Sequence, residues 1–163
     1  MRGKGFSVLI VEDNVHMMRL FSAMIRSIGV DVIHAVADPT DALEIMKTNA
    51  VDFAIVDLRL PVIDGIEFTQ LVRNSPDSPN PYLPIIMVTA HSERSKVEAA
   101  RDAGVNEFCC KPINANTLFS RIHSIIEHPR PFIRAPNYFG PDRRRHNDPG
   151  YRGPERRKTL QPG

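Results

Sequence analysis

Five short runs of nearly uninterrupted apolar residues constrain this chain more than any other feature: 6–11, 30–36, 51–56, 84–88 and 105–110. Each has strand length, and Val and Ile are frequent in them. A strand with one wet face would alternate apolar and polar side chains. Continuous runs instead indicate strands covered on both faces, which is the situation of a parallel sheet with helices above and below it. The intervening segments carry helical spacing. From His16 to Ile28, apolar residues recur at Met17, Phe21, Met24, Ile25 and Ile28, with Gly29 placed to close the helix. Asp38-Pro39-Thr40-Asp41 supplies an N-cap, a first-turn proline and an acid for a second helix that buries Ala42, Leu43 and Met46. A third helix is expected over 66–74 with Phe68, Leu71 and Val72 inward, and a more polar fourth over 93–103 closed by Gly104. The last presents Leu118, Phe119, Ile122, Ile125 and Ile126 and ends before Pro129. Strands and helices in alternation make an α/β, doubly wound, five-stranded parallel sheet with right-handed crossovers, flanked by five helices. The Pro-rich stretch 75–81 is a loop.

In such a sheet every strand ends on the same edge, where open α/β folds keep their chemistry. Glu12 and Asp13 follow the first run, Asp57 the third, Thr89 the fourth and Lys111 the fifth. A lone Asp at a strand end is usually a turn residue or a cap. Three carboxylates converging on one edge are another matter, because they repel unless a cation or a proton intervenes. All-oxygen ligands with no histidine or cysteine among them favour Mg²⁺. A metal beside an aspartate, an ammonium group and a hydroxyl suits phosphoryl transfer. Asp57 would be the nucleophile forming an acyl phosphate, with Lys111 pairing a phosphoryl oxygen and Thr89 donating a hydrogen bond.

These motifs resemble the receiver domain of the two-component response regulators: Glu12-Asp13, Asp57 with Pro61 and Asp64-Gly65, Thr89-Ala90 and Lys111-Pro112, across roughly residues 5 to 128. The resemblance implies a flavodoxin-like strand order, 2-1-3-4-5. It makes Asp57 the phosphoacceptor for a histidine kinase or phosphotransfer protein in a phosphorelay. Asp13 would ligate Mg²⁺ directly, Glu12 through a metal-bound water, and the backbone carbonyl of Arg59 would complete the site. Phe108 takes the place of an aromatic switch that turns inward when Thr89 engages the phosphoryl group. Arg59 and His91 lie beside the pocket and either govern access of water to the acyl phosphate or are solvated loop residues. The resemblance implies a single-domain, stand-alone signalling protein, with at most self-phosphorylation from small donors and slow autodephosphorylation, and not an enzyme acting on a metabolite. Its output would be a contact with a downstream protein, or a homodimer, through the face of the fourth helix, fifth strand and fifth helix. A haloacid dehalogenase-type phosphatase needs a second acid two residues after its nucleophile, where this chain has Arg59. A flavin or nucleotide module would not put Glu12-Asp13 where a phosphate must sit unless metal intervened.

Charge divides the chain. Residues 1–129 hold 12 basic and 16 acidic side chains, whereas 130–163 hold 9 and 3, so a net charge of +2 conceals an acidic body and a basic tail. No apolar run approaches the roughly 18 residues of a membrane span and no secretory signal opens the sequence, which leads to a cytoplasmic expectation. Cys109 and Cys110 are adjacent in a strand, point to opposite faces and are read as reduced core residues. The tail, 129–163, is Pro-, Gly- and Arg-rich, and disorder is expected there. It contains a short repeat, 138–145 and 151–158, each reading aromatic, any residue, Gly-Pro, acid, three basic residues. Tyr138, Arg143, Arg144, Arg145, Tyr151, Arg156 and Arg157 carry it. Three readings stay open: a linear docking motif, for which the acidic body is one available partner; a site for RNA, DNA or an anionic membrane; and a solubilising extension. Deleting 130–163 is expected to change partners while sparing phosphorylation.

Overall fold

The structure, a computed structural model, describes residues 5–90, 93–144 and 158–160. Five parallel strands, β1 (Ser7–Val11), β2 (Val32–Val36), β3 (Phe53–Asp57), β4 (Ile85–Thr89) and β5 (Glu107–Cys110), form one sheet in the order β2-β1-β3-β4-β5. The helices alternating with them are α1 (Val15–Ser27), α2 (Pro39–Thr48), α3 (Gly65–Asn74), α4 (Arg94–Ala103) and α5 (Ala115–Glu127). Fold class, strand order and helix count are those expected. β2 and β5 each start two residues later than the apolar runs suggested, because Val30 and Val105 are still in the approach to the sheet.

The side-chain period of two explains why the runs are apolar throughout. Val8, Ile10, Phe53, Ile55, Ile86, Val88 and Cys109 point to one side, where Phe21 and Ile25 of α1 and Leu118, Ile122 and Ile125 of α5 cover them. Leu9, Val11, Ala54, Val56, Ile85 and Met87 point to the other, against Met46 of α2, Phe68 and Val72 of α3 and Ala100 of α4. Cys109 is buried and Cys110 exposed, both as free thiols. The helix punctuation also forms. Asp38 accepts the Thr40 N–H at 2.8 Å ahead of Pro39, and Gly104 closes α4 in the left-handed region at φ 103°. Among the described residues, no helix is long and apolar enough to cross a membrane.

Disorder is the expectation that requires correction for residues 132–144; residues 145–157 and 161–163 of the tail lie outside the described residues. Residues 132–144 are packed on the body: β6 (Phe132–Ala135) and β7 (Tyr138–Pro141) form an antiparallel hairpin, and β8 (Lys158–Leu160) pairs with the other edge of β6. Phe132, Ile133 and Phe139 are buried. Their rings meet Tyr82, just before β4, with Tyr82–Phe132 centroids 5.1 Å apart and Tyr82–Phe139 5.5 Å. Beneath them Arg73 of α3, 2% exposed, donates to the carbonyls of Gly104 (3.0 Å) and Pro81 (2.9 Å) and to Asn106 Oδ1 (2.9 Å), with Phe132 over its guanidinium at 4.9 Å. Burial pushes the Arg73 pKa down to about 9, and three acceptors with an aromatic face keep the cation at neutral pH. The expectation of disorder followed from overall composition. Composition averages over Phe132-Ile133 and Tyr138-Phe139, two apolar pairs separated by Pro136-Asn137, which is a hairpin signal.

Candidate functional site

Parallel register carries the acidic and basic groups to one edge. Val11 lies opposite Val56, so Glu12 and Asp13 continue past β1 beside the end of β3, where Asp57 is the last residue. Asp57 lies opposite Val88 and Thr89 opposite Cys110, which sets Lys111 next to Thr89. The Lys111 N–H donates to the Thr89 carbonyl at 2.7 Å, and the Lys111-Pro112 peptide is cis.

The side chains meet. Glu12, Asp13 and Asp57 each offer a carboxylate oxygen, and the three atoms lie within 4.8 Å of one another. Lys111 Nζ is 3.1 Å from Glu12 Oε2 and 3.4 Å from Asp57 Oδ2. Glu12 and Asp57 are buried, Lys111 is largely so, and Asp13 is exposed at the mouth. Two carboxylates this close repel by on the order of 3 kcal/mol at an effective dielectric near 20. Burial, helped by repulsion from Asp57, raises the Glu12 pKa; the Asn14 N–H, donating to Oε1 at 3.1 Å, and Lys111 act against that rise. Among the described residues, one ammonium group therefore faces two buried acids and a third at the entrance, an excess of negative charge that fits an oxygen-liganded divalent cation.

The loop after β3 fixes the backbone of Asp57. Asp64 caps α3, its Oδ1 accepting the Glu67 N–H at 2.8 Å, and the Gly65 N–H donates to the Leu58 carbonyl at 2.8 Å. A Cβ on Gly65 would stand 2.3 Å from the Asp57 carbonyl oxygen and 3.1 Å from Leu58 Cα, so α3 begins against the Asp57 backbone only because no side chain is there. Val62, 86% exposed at φ 70°, is the middle of a three-residue turn closed by the Ile63 N–H on the Pro61 carbonyl at 2.8 Å.

Glu12, Asp13, Asp57, Thr89 and Lys111 thus share one edge. Arg59 is exposed two residues beyond Asp57, Phe108 is half-buried on the α4 side of β5, and Thr89 is buried. His91 lies outside the described residues, as do Arg145, Tyr151, Arg156 and Arg157. The described arginines of the first repeat copy are engaged within the chain: Arg143 Nη1 is 2.7 Å from Asp102 Oδ1 of α4, and Arg144 Nη2 is 3.3 Å from Asp142 Oδ2. Gly65 and Asn14 acquire positioning roles that motif spacing alone did not assign. The pair Asp64-Gly65 is the visible trace of the first in the sequence, and the second directly follows Glu12-Asp13.

This fold with this edge defines a receiver: the chain belongs to the response regulator receiver domain family, whose model matches residues 8–123, and its place is in two-component signalling. Among particular relatives, the chemotaxis protein CheY-3 of Vibrio cholerae is 32% identical over 124 residues, spanning 76% of this chain and 94% of that protein. The chemotaxis protein CheY of Pseudomonas aeruginosa is 33% identical over 120 residues, 74% of this chain and 95% of that one. Of solved structures, the receiver domain of a sensor histidine kinase from Pseudomonas aeruginosa PAO1, with magnesium coordinated in its active-site cleft, is 31% identical. It superposes with a TM-score of 0.65 over 74% of this chain and 96% of that one. Vibrio cholerae CheY4 gives a TM-score of 0.69 at 26% identity, over 76% and 100%. The family match ends at residue 123, so the packed hairpin lies beyond it.

Proposed function

We propose that the chain accepts a phosphoryl group on Asp57 from a histidine kinase or phosphotransfer protein and passes the signal to a downstream protein. Mg²⁺ would be held by Asp13 and Asp57, by Glu12 through water, and by the Arg59 carbonyl. The observation that carries this reading is the position of Lys111 Nζ, 3.1 Å from Glu12 Oε2 and 3.4 Å from Asp57 Oδ2, beside three carboxylates within 4.8 Å.

In this reading an Asp57 carboxylate oxygen attacks the phosphorus of a phosphohistidine. The new O–P bond forms as the P–N bond breaks, and the imidazole leaves with its electron pair. Held by these residues, the ion would supply charge neutralisation for the phosphoryl oxygens. Lys111, already within reach of Asp57, pairs with another of those oxygens, and the Thr89 hydroxyl donates to the transferred group. Thr89 thereby reports phosphorylation to β4 and to the connection leading into α4, while Phe108 turns inward. Water later attacks the phosphorus, returning Asp57 as the carboxylate and releasing phosphate. The target surface is the α4–β5–α5 face, which also serves a homodimer if one forms.

Labelling by acetyl phosphate with and without Mg²⁺ tests the assignment. The parent takes up label only with Mg²⁺, and Asp57→Asn takes up none. Label retained by Asp57→Asn removes that residue from its role.

A further inference from the structure

The hairpin reaches the part of the receiver that the phosphorylation step would move. α4 contributes only Ala100 and Ala103 as buried residues, and its N-cap, Glu93, makes no side-chain capping bond. Its C-terminal end is held by the hairpin instead. Arg143 bridges to Asp102, and its guanidinium lies 4.7 Å over the Tyr138 ring. Gly140 approaches so closely that a Cβ there would stand 2.9 Å from Gly104 Cα. Arg130 donates through Nη1 to the Asp142 carbonyl at 2.9 Å and through Nη2 to the Asn106 carbonyl, tying both ends of the hairpin to the start of β5. Arg130 and Arg143 also line a groove of about 280 Å³ with Val97, Ala100 and Phe108.

Phe108 is therefore a wall of the groove in which the hairpin's arginines stand. We infer that residues 130–144 are a built-in output element of this receiver, seated while Phe108 walls the groove and loosened when phosphorylation of Asp57 draws the ring inward. The inference rests on the phosphoacceptor reading above. An inward turn removes the apolar wall that Phe108 shares with Val97 and Ala100 beside Arg130 and Arg143, so the two states hold the hairpin with different strength. Coupling of this kind is reciprocal. A change that loosens the hairpin favours the inward ring and therefore the phosphorylated state.

Hydrogen exchange on the full chain, read by mass spectrometry over residues 132–141 with and without acetyl phosphate and Mg²⁺, tests this. The expected result is exchange faster by about fivefold or more in the labelled parent and no change in Asp57→Asn. Gly140→Ala, which crowds Gly104, should raise the labelled fraction of Asp57 at a fixed donor concentration. Arg143→Ala should do the same without adding bulk, and serves if Gly140→Ala fails to fold. Full labelling with unchanged or slower exchange in 132–141 overturns the output role and leaves the phosphoacceptor reading standing. Absence of label in the parent overturns both.

Discussion

Gly65→Ala is the substitution for which the structure gives the sharpest expectation. Gly65 is the first residue of α3 and its φ is not in the left-handed region, so alanine is acceptable to the backbone itself. The conflict is steric. The new Cβ falls 2.3 Å from the Asp57 carbonyl oxygen and 3.1 Å from Asp57 C and Leu58 Cα, whereas Cβ contacts below 3.0 Å essentially do not occur. At least several tenths of an ångström of movement must be absorbed, and the atoms in the way are backbone, not the ends of flexible side chains. Overpacking of this sort costs about 3 kcal/mol at the upper end of its usual range. For a chain of this length that is roughly 6 to 12 °C in Tm. The same movement displaces Asp57, the proposed phosphoacceptor, relative to Lys111 and the acidic residues, and misplacements approaching 1 Å lower rates by about tenfold to a hundredfold. Thermal unfolding by circular dichroism and the initial rate of labelling by acetyl phosphate measure the two effects. A Tm within about 2 °C of the parent together with a parental labelling rate would refute the close-approach argument, since about 3 kcal/mol of strain must appear in both.

Three further outcomes are expected. Phe139→Ala removes a ring that is 4% exposed and meets both Tyr82 and Phe132 edge-on, so unfolding in urea should show a loss of about 3 to 5 kcal/mol; a loss below about 1 kcal/mol would mean that the hairpin is a dispensable appendage. Tyr138 donates its hydroxyl to the Pro141 carbonyl at 2.6 Å, and Tyr138→Phe should cost about 1 kcal/mol near neutral pH. Burial raises the Tyr138 pKa above its usual 10, so the unfolded chain releases that proton first as pH rises through 10; the parent's stability advantage over Tyr138→Phe should shrink there, as pH-dependent melts of the two would reveal. Millimolar Mg²⁺ should raise the parental Tm by relieving repulsion among Glu12, Asp13 and Asp57, and the rise should vanish in Asp13→Asn; an equal rise in the variant would place the ion elsewhere.

Much of the receiver was legible in the chain because its information is local and periodic. Continuous apolar runs such as Val8-Leu9-Ile10-Val11 imply two covered faces, and Asp38-Pro39 marks where a helix must start. Parallel connectivity then guarantees that Glu12, Asp13, Asp57, Thr89 and Lys111 reach one edge, whatever the side chains do in detail. Contacts between elements distant in the chain were not legible. Arg73 looks like any helical arginine until Gly104, Pro81 and Asn106 supply its acceptors and Phe132 covers it. The charge-rich segment after Pro129 reads as solvated until Tyr82 gives Phe132 and Phe139 something to pack on. Gly65 is an ordinary loop glycine until Asp57 stands against it. The amino-acid order alone determined which residues form strands and helices and which groups share an edge, since periodicity and caps act over a few residues. Only the tertiary structure decided where the hairpin sits and how closely α3 meets β3, because burial and close approach depend on partners that sequence distance conceals.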